Sequence, residues 1–284
     1  MKKRTTPEKS AERIRIYKKI EELEREGKFD VDVEDDPPSK PLLPNDIDYL
    51  KKGLIKRIKK KIAFTCAYAF FDKGERRGDI VLDKDIEGLS NLSSLKGGAV
   101  IVANHFNPLD SFFIQYAFDA AKKDGELYRI IREGNYTSFP GFYGFLMRNC
   151  NTLPLSSSLA TMRKLINAVG VTLSRGDCVL VYPEQSLWWN YRKPKPHKIG
   201  AYEFAVKSNV PVVPVFITME DTDALGSDGF PIQRHKIHIG APVYPDAELD
   251  KRARAEKMRD KSFEFSRSIY ERVYKIPLTY TTEY

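Results

Sequence analysis

The sequence predicts an α/β fold: a mixed, largely parallel sheet flanked by helices and preceded by an N-terminal helical segment. Three observations predict it. Residues 98–103, 178–182 and 210–218 are short apolar runs with the length and bounds of buried strands. Residues 109–123, 159–173 and 199–208 are helix-length stretches with apolar side chains on one face. From Asp79 onward the two kinds of segment alternate, as they do where parallel strands are joined by helical crossovers.

Taken in order, residues 7–26 read as a helix whose Ile14, Ile16, Tyr17, Ile20 and Leu23 form an apolar stripe, stopped at Gly27. Residues 30–44 are acidic and proline-rich, with Asp35-Asp36-Pro37-Pro38, Pro41 and Pro44. They are expected to be a linker or extended arm on the surface, outside the core. Residues 46–71 form a second helical region, open to a break at Gly53. Leu54, Ile55, Ile58 and Ile62 share one face, and Lys51, Lys52, Lys56, Arg57, Lys59, Lys60 and Lys61 cover the rest. The end of this stretch is aromatic, with Phe64, Tyr68, Phe70 and Phe71. Such a basic amphipathic helix suits an anionic lipid interface, with Lys56, Arg57, Ile58, Lys59, Lys60, Lys61, Ile62 and Phe64 as the membrane-binding set. A charged helix packed on its own domain has the same pattern. These readings divide the chain into an N-terminal, membrane-associating part (1–75) and an α/β domain (76–284).

Within the second part, residues 80–82 and 85–87 look like edge strands, 98–103 a central strand, 127–131 the next, and 140–147 a short aromatic helix. Residues 153–155 are extended, 235–239 a late strand and 246–274 a long charged helix. Pro211 and Pro214 are awkward in a central strand, which assigns the first half of the 210–218 strand to an edge or a strand entry.

At 284 residues the chain can bury one good core with appendages. A net charge of +8 points to an anionic partner: a phosphorylated substrate, an acidic carrier, a membrane surface or nucleic acid. Cys66, Cys150 and Cys178 are too few and scattered for a disulfide framework or a zinc site, which fits a reducing cytosol. No apolar stretch follows the basic start, so no signal peptide is expected. The longest apolar candidate, residues 62–71, is about half of what spans a bilayer, so any membrane contact is expected to be peripheral.

Chemistry concentrates where apolar strands end. Val100-Ile101-Val102-Ala103 breaks at Asn104, and Pro108 starts a helix carrying Phe112, Phe113, Tyr116 and Ala117 inward. His105 sits at the strand end and Asp110 in the first helical turn, the kind of place where open α/β folds carry their sites. His105 can act as a general base near neutral pH, and Asp110 can orient its ring, as in a Ser-His-Asp triad without the serine. A capping Asp beside a structural His is the plainer alternative. Val179-Leu180-Val181-Tyr182-Pro183-Glu184-Gln185-Ser186 repeats the arrangement, with Glu184 as the first charge after the strand. On one edge of a parallel sheet Glu184 would come near His105, free to accept hydrogen bonds from substrate hydroxyls. The loop Leu187-Trp188-Trp189-Asn190-Tyr191-Arg192-Lys193-Pro194-Lys195-Pro196-His197-Lys198 is basic and aromatic. It suits stacked single-stranded bases, a phosphate site roofed by aromatics, or a loop packed down by its tryptophans. His197 reads as a surface residue.

As a set, in this order and spacing, these motifs resemble the glycerolipid acyltransferases of the 1-acylglycerol-3-phosphate acyltransferase family, over roughly residues 78–241. The first family block matches at Asn104, His105 and Asp110. The third, usually Phe-Pro-Glu-Gly-Thr-Arg-Ser, resembles Tyr182 to Trp188, with Ser186 in place of Thr and Leu187 in place of Arg. The fourth matches at Val210 to Val215. Pro154-Leu155 leads to Ser156-Ser157-Ser158 where the family's second block has an arginine. The N-terminal helices and the Asp-Asp-Pro-Pro stretch resemble those of bacterial members on the cytoplasmic membrane face.

The resemblance implies a peripheral enzyme of phospholipid biosynthesis. It would move a fatty acyl group from an acyl carrier protein or coenzyme A thioester to a hydroxyl of a lysophosphatidic-acid-like acceptor, with no metal and no other cofactor. His105 and Asp110 would be catalytic. Asn104, Glu184 and Ser186 would bind substrate, and Arg148, Arg192, Lys193 or Lys198 would replace the missing phosphate-binding arginines. Two alternatives come from other classes: a catalytically silent membrane-binding module of the same fold, and a basic nucleic-acid-binding protein.

Overall fold

Strand β2 (Ala99–Val102) is buried on both faces and lies at the centre of the sheet. The structure is a computed structural model that describes residues 8–34, 39–50 and 53–280. Pro7, the Asp35-Asp36-Pro37-Pro38 run, Lys51 and Lys52 lie outside the described residues.

Two helices come first, α1 (Ala11–Arg25) and α2 (Leu54–Arg77). Then follow β1 (Val81–Leu82), α3 (Ser90–Ser93), β2, α4 (Asp110–Ala120), β3 (Leu127–Ile131), α5 (Glu133–Thr137), α6 (Gly141–Asn149) and β4 (Thr152–Pro154). The chain continues through α7 (Leu159–Ser174), β5 (Cys178–Val181), α8 (Gly200–Ser208), β6 (Val212–Leu225), β7 (Pro231–Ile239) and α9 (Lys251–Tyr274). The seven strands of the described residues form one sheet in the order β1-β7-β6-β2-β5-β3-β4, parallel except for the β6/β7 pair. The mixed, largely parallel α/β fold expected from the sequence is therefore the observed one. From β2 the chain skips over β5 to β3, whereas from β5 it crosses to β6 on the far side of β2. The carboxyl end of β2 thus lies where the connections diverge, the usual place for a crevice in an open α/β sheet.

Alternation along the strands sorts the core into two layers. Ile101, Leu180 and Val213 pack with Phe71, Phe113, Ile114 and Ala117, under α2 and α4. Val100, Val102, Val179 and Val181 pack with Leu165, Ala168, Tyr202 and Met258, under α7, α8 and α9. Both faces being covered explains the unbroken apolar runs of β2 and β5.

Four expectations need correction. The acidic stretch 30–44 is an extended arm, but it contributes to the core: Leu42 is buried against the α7–α8 layer, as are Ile47 and Tyr49 just after it, and Val33, with Phe29 just before, joins Ile16, Ile20, Leu23, Trp188 and Trp189 in a cluster of their own. Fully burying a large apolar side chain is worth about 1.5–3 kcal/mol, enough in sum to hold an extended segment down. Its main chain is also committed, since the Leu42 carbonyl accepts from both Ser156 Oγ and Thr161 Oγ1 at 2.8 Å. Second, residues 85–87 are not a strand, only a single bridge from Glu87 to His238. Third, the proline-bearing half of β6 is interior, with Val212, Val213 and Pro214 paired to β2. Proline is tolerated there because Pro211 precedes the strand, where its carbonyl accepts the Val100 N–H, and because the ladder changes partner after Pro214, from β2 to β7. Fourth, α2 starts after Gly53, where the break was open, but runs on past the expected end at Phe71 to Arg77. β6 and β7 also extend well beyond their expected ends into a long hairpin, whose turn holds α1 through the Ser10 N–H to the Asp228 carbonyl at 2.8 Å.

Candidate active site

The turn between β2 and α4 brings a histidine and an aspartate five positions apart into contact. Asn107 folds it by accepting the Leu109 N–H on its own side chain at 2.9 Å, and Pro108 follows where no N–H is needed. Asp110 is then the first residue of α4, almost wholly buried, and its Oδ2 lies 2.6 Å from His105 Nδ1. The same oxygen accepts the Phe106 N–H at 3.2 Å, so it acts as an acceptor and Nδ1 carries the proton. Nε2 has no partner among the described residues. The His105 side chain is 23% exposed, enough for a ligand to reach. This is the arrangement of a histidine base held by a carboxylate.

Tyr182, one residue past β5, completes the group. Its hydroxyl donates to Asp110 Oδ1 at 2.7 Å, and its ring stacks on the imidazole with centroids 4.1 Å apart. Burial and the adjacent carboxylate push the phenol well above its ordinary pKa, so it stays a donor. Sequence reasoning passed over Tyr182 because in the motif it only precedes Pro183-Glu184.

Glu184 does come beside His105, as expected of parallel neighbours, but it faces the main chain. Its Oε2 accepts the His105 N–H at 3.0 Å and its Oε1 the Lys195 N–H at 2.9 Å, with the Lys195 ammonium 3.7 Å away. Both side chains are buried, and burial is the largest influence on each: it raises the Glu184 carboxyl and lowers the Lys195 amine, opposed by their mutual attraction. The expectation that Glu184 accepts hydrogen bonds from substrate hydroxyls is corrected; it ties two loops together. Lys195, unremarked between its prolines, is fully buried and donates to Ser186 O at 2.6 Å and Ser186 Oγ at 2.8 Å.

The other expected substrate contacts are also spent internally. The Asn104 amide is bidentate to Ile217, its Nδ2 donating to the carbonyl at 3.0 Å and its Oδ1 accepting the N–H at 2.9 Å, which staples β2 to β6. Ser186 is buried and donates to the Phe29 carbonyl at 2.7 Å. Arg148 donates to the carbonyls of Tyr136 and Phe139 at 3.1 and 3.2 Å, closing the α5–α6 turn. Arg192 pairs with Asp221 at 2.6 Å, Lys193 with Glu24 at 2.6 Å and Lys198 with Asp30 at 2.8 Å. These last three fasten the loop after β5 to the hairpin, α1 and the arm, so each cation is already ion-paired. His197 is not a surface residue either: its Nδ1 lies 2.7 Å from the Tyr202 hydroxyl and burial pushes its pKa down to about 3.

Trp188 and Trp189 are packed into the cluster with α1 and the arm, and Trp188 Nε1 donates to the Val31 carbonyl at 2.8 Å. Base stacking needs free ring faces, which removes the feature that suggested nucleic acid. The loop instead supports the site from below, through Trp188 N–H to His105 O at 3.2 Å and Asn190 N–H to Phe106 O at 3.0 Å.

The expected membrane-binding set divides. Leu54 and Ile55 are 74% and 70% exposed, and Ile58 and Ile62 are about half exposed on the same side of α2. Phe70 extends this face toward Phe142 and Tyr143 of α6, with centroids 6.3 and 6.4 Å away. Arg57, Lys59 and Lys61 are exposed beside it. Lys56 is paired with Asp48 and Lys60 with Glu126, and Phe64 turns inward onto Tyr68 and the buried Arg129 guanidinium.

Residues 84–218 match the family model described as Acyltransferase. The 1-acyl-sn-glycerol-3-phosphate acyltransferase BAT2, chloroplastic, of Brassica napus is 29% identical over 171 residues, which cover 56% of this chain and 45% of that protein. The chain therefore spans about half the length of the curated relative it matches. The crystal structure of the 1-acyl-sn-glycerophosphate (LPA) acyltransferase, PlsC, from Thermotoga maritima is 20% identical, with 76% of this chain and 85% of that one covered at a TM-score of 0.46. His105, Asp110, Tyr182, Glu184 and Lys195 all fall inside the segment, residues 84–218, that is similar to the acyltransferase family.

Proposed function

We propose that the protein transfers a fatty acyl group from a coenzyme A or acyl carrier protein thioester to a hydroxyl of a lysophosphatidic-acid-like acceptor, as a step of phospholipid synthesis. The observation that carries this reading is the His105–Asp110 contact with Nε2 left unpartnered. His105 Nε2 takes the acceptor hydroxyl proton as the oxygen attacks the thioester carbonyl. The Asp110 carboxylate holds the ring and stabilises the imidazolium. The tetrahedral intermediate collapses, the C–S bond breaks, and the leaving thiolate takes the proton back from His105. The products are an ester and a free thiol. The His105 and Phe106 N–H groups are committed to Glu184 and Asp110, so oxyanion donors come from elsewhere.

We further propose that the protein works as a peripheral enzyme on the cytoplasmic face of the cell membrane. Among the described residues no helix is long and apolar enough to cross a membrane. The exposed face of α2, with Phe142 and Tyr143, offers apolar side chains flanked by Arg57, Lys59 and Lys61, which suits insertion at an anionic lipid surface. The decisive experiment is turnover by the purified protein with both thioester classes across a panel of lysolipids. Ester formation that is lost in His105→Ala supports the reading. A fully active His105→Ala protein, or no thioester consumption with any acceptor, overturns it.

A further inference from the structure

Tyr182 touches both members of the His105–Asp110 pair. Its ring lies nearly parallel to the imidazole, 13° between planes, and its hydroxyl takes one Asp110 oxygen while His105 takes the other. We propose that Tyr182 is a positioning residue for His105: its hydroxyl draws Asp110's charge away from the imidazole and its ring closes one face, leaving Nε2 as the reachable edge. The proposal rests on the base role given to His105 above.

The physical basis is competition for one carboxylate. A donor on an anion forms a charge-assisted bond, and charge engaged by the phenol is less available to an imidazolium. The hydroxyl therefore favours the neutral imidazole, the form that can accept a proton. The other charged and titratable groups facing this cluster are Glu184 and Lys195 from the loop after β5, Arg129 from β3 and His235 from β7. All four are retained in a Tyr182→Phe protein, so that variant isolates the hydroxyl.

The test is an NMR titration of the His105 ring in the parent and in Tyr182→Phe, together with the pH profile of kcat/KM. The variant's imidazole is expected to protonate at a pH about 0.5–1 unit higher, with the acid limb of the profile displaced by the same amount. Tyr182→Leu, which also removes the ring, should keep the displacement and lower kcat further. An unmoved titration in a folded Tyr182→Phe protein overturns the proposal. So does a loss of activity equal at every pH, which would mark Tyr182 as packing only. The titration reads the ring directly: a shift in a protein that consumes no thioester would sustain the positioning role and sink the acyl-transfer reading.

Discussion

Glu184 holds His105 by its main chain: the carboxylate of one strand end accepts the N–H of the other, at 3.0 Å across 79 residues of sequence. With its second oxygen on the Lys195 N–H, the side chain faces donors on both sides. Glutamine would turn an NH2 toward one of them. Glu184→Gln should therefore be nearly as damaging as Glu184→Ala, each leaving a buried donor unsatisfied at a cost of about 1–3 kcal/mol. Thermal melts read the loss. A glutamine variant that melts like the parent would show that the carboxylate is not the clasp described.

His105→Ala should lower acyl transfer by ~10²–10⁴-fold while the protein stays folded, since the ring is partly exposed. Asp110→Asn should cost activity and some stability, because its carboxylate also accepts the Phe106 N–H and the Tyr182 hydroxyl. Turnover measured beside circular dichroism separates the two effects. Equal melting of parent and Asp110→Asn would contradict the network.

Neutralising Arg192, Lys193 and Lys198 together should loosen α1 and the arm and leave the acceptor KM within about twofold, because each cation is already engaged in an ion pair that contributes about 0–1 kcal/mol of stability. Limited proteolysis within residues 8–34 should speed up. A large rise in acceptor KM without faster cleavage would return these residues to the acceptor site.

Reversing Arg57, Lys59 and Lys61 to Glu should release the protein from anionic vesicles, each basic residue being worth about 1 kcal/mol near such a surface. Ile58→Ser with Ile62→Ser should weaken binding to anionic and neutral vesicles alike. Lys56 and Lys60 should matter less, being engaged with Asp48 and Glu126. Co-sedimentation decides, and undiminished pelleting of the charge-reversed protein would move the membrane contact away from α2.

His235 is buried against Phe106 and Phe113 with its Nε2 unpartnered among the described residues, and burial pushes its pKa down to about 4. The unfolded chain, near 6.5, takes up this proton first, so its contribution to stability is whole above 6.5 and declines as pH falls toward 4. Between pH 6.5 and 5 the loss is about 2 kcal/mol. His235→Phe should flatten that part of the curve of melting temperature against pH. An unchanged slope would mean that the ring is solvated in the folded state.

The strands on either side of the site were legible because β2 and β5 are continuous apolar runs with sharp polar ends, and two-sided burial demands such runs. The Asn107-Pro108 turn made the His105–Asp110 contact readable as well. What stayed hidden lacks a period. Val33 and Leu42 lie without a period in an acidic, proline-rich stretch, and Leu42 docks also through its main-chain carbonyl, which composition does not reveal. The outer half of the β6–β7 hairpin is largely exposed, so it carries no apolar signature. Lys195 sits between two prolines in a basic loop, and only the fold shows that its ammonium is buried against Ser186 and Glu184. The motifs marked the candidate site, and most of their other polar residues bond to the backbone.

The berth of α1 has a consequence for biosynthesis. Ile16, Ile20 and Leu23 are made well before the tryptophans that cover them, which lie more than 150 positions later, and the hairpin turn that holds Ser10 comes later still. Contacts of such sequence separation form late, after the chain has paid the entropy of closing a long loop. The nascent amino-terminal helix must therefore wait with its apolar stripe uncovered until most of the sheet has been made, an interval in which a chaperone or a lipid surface can hold it.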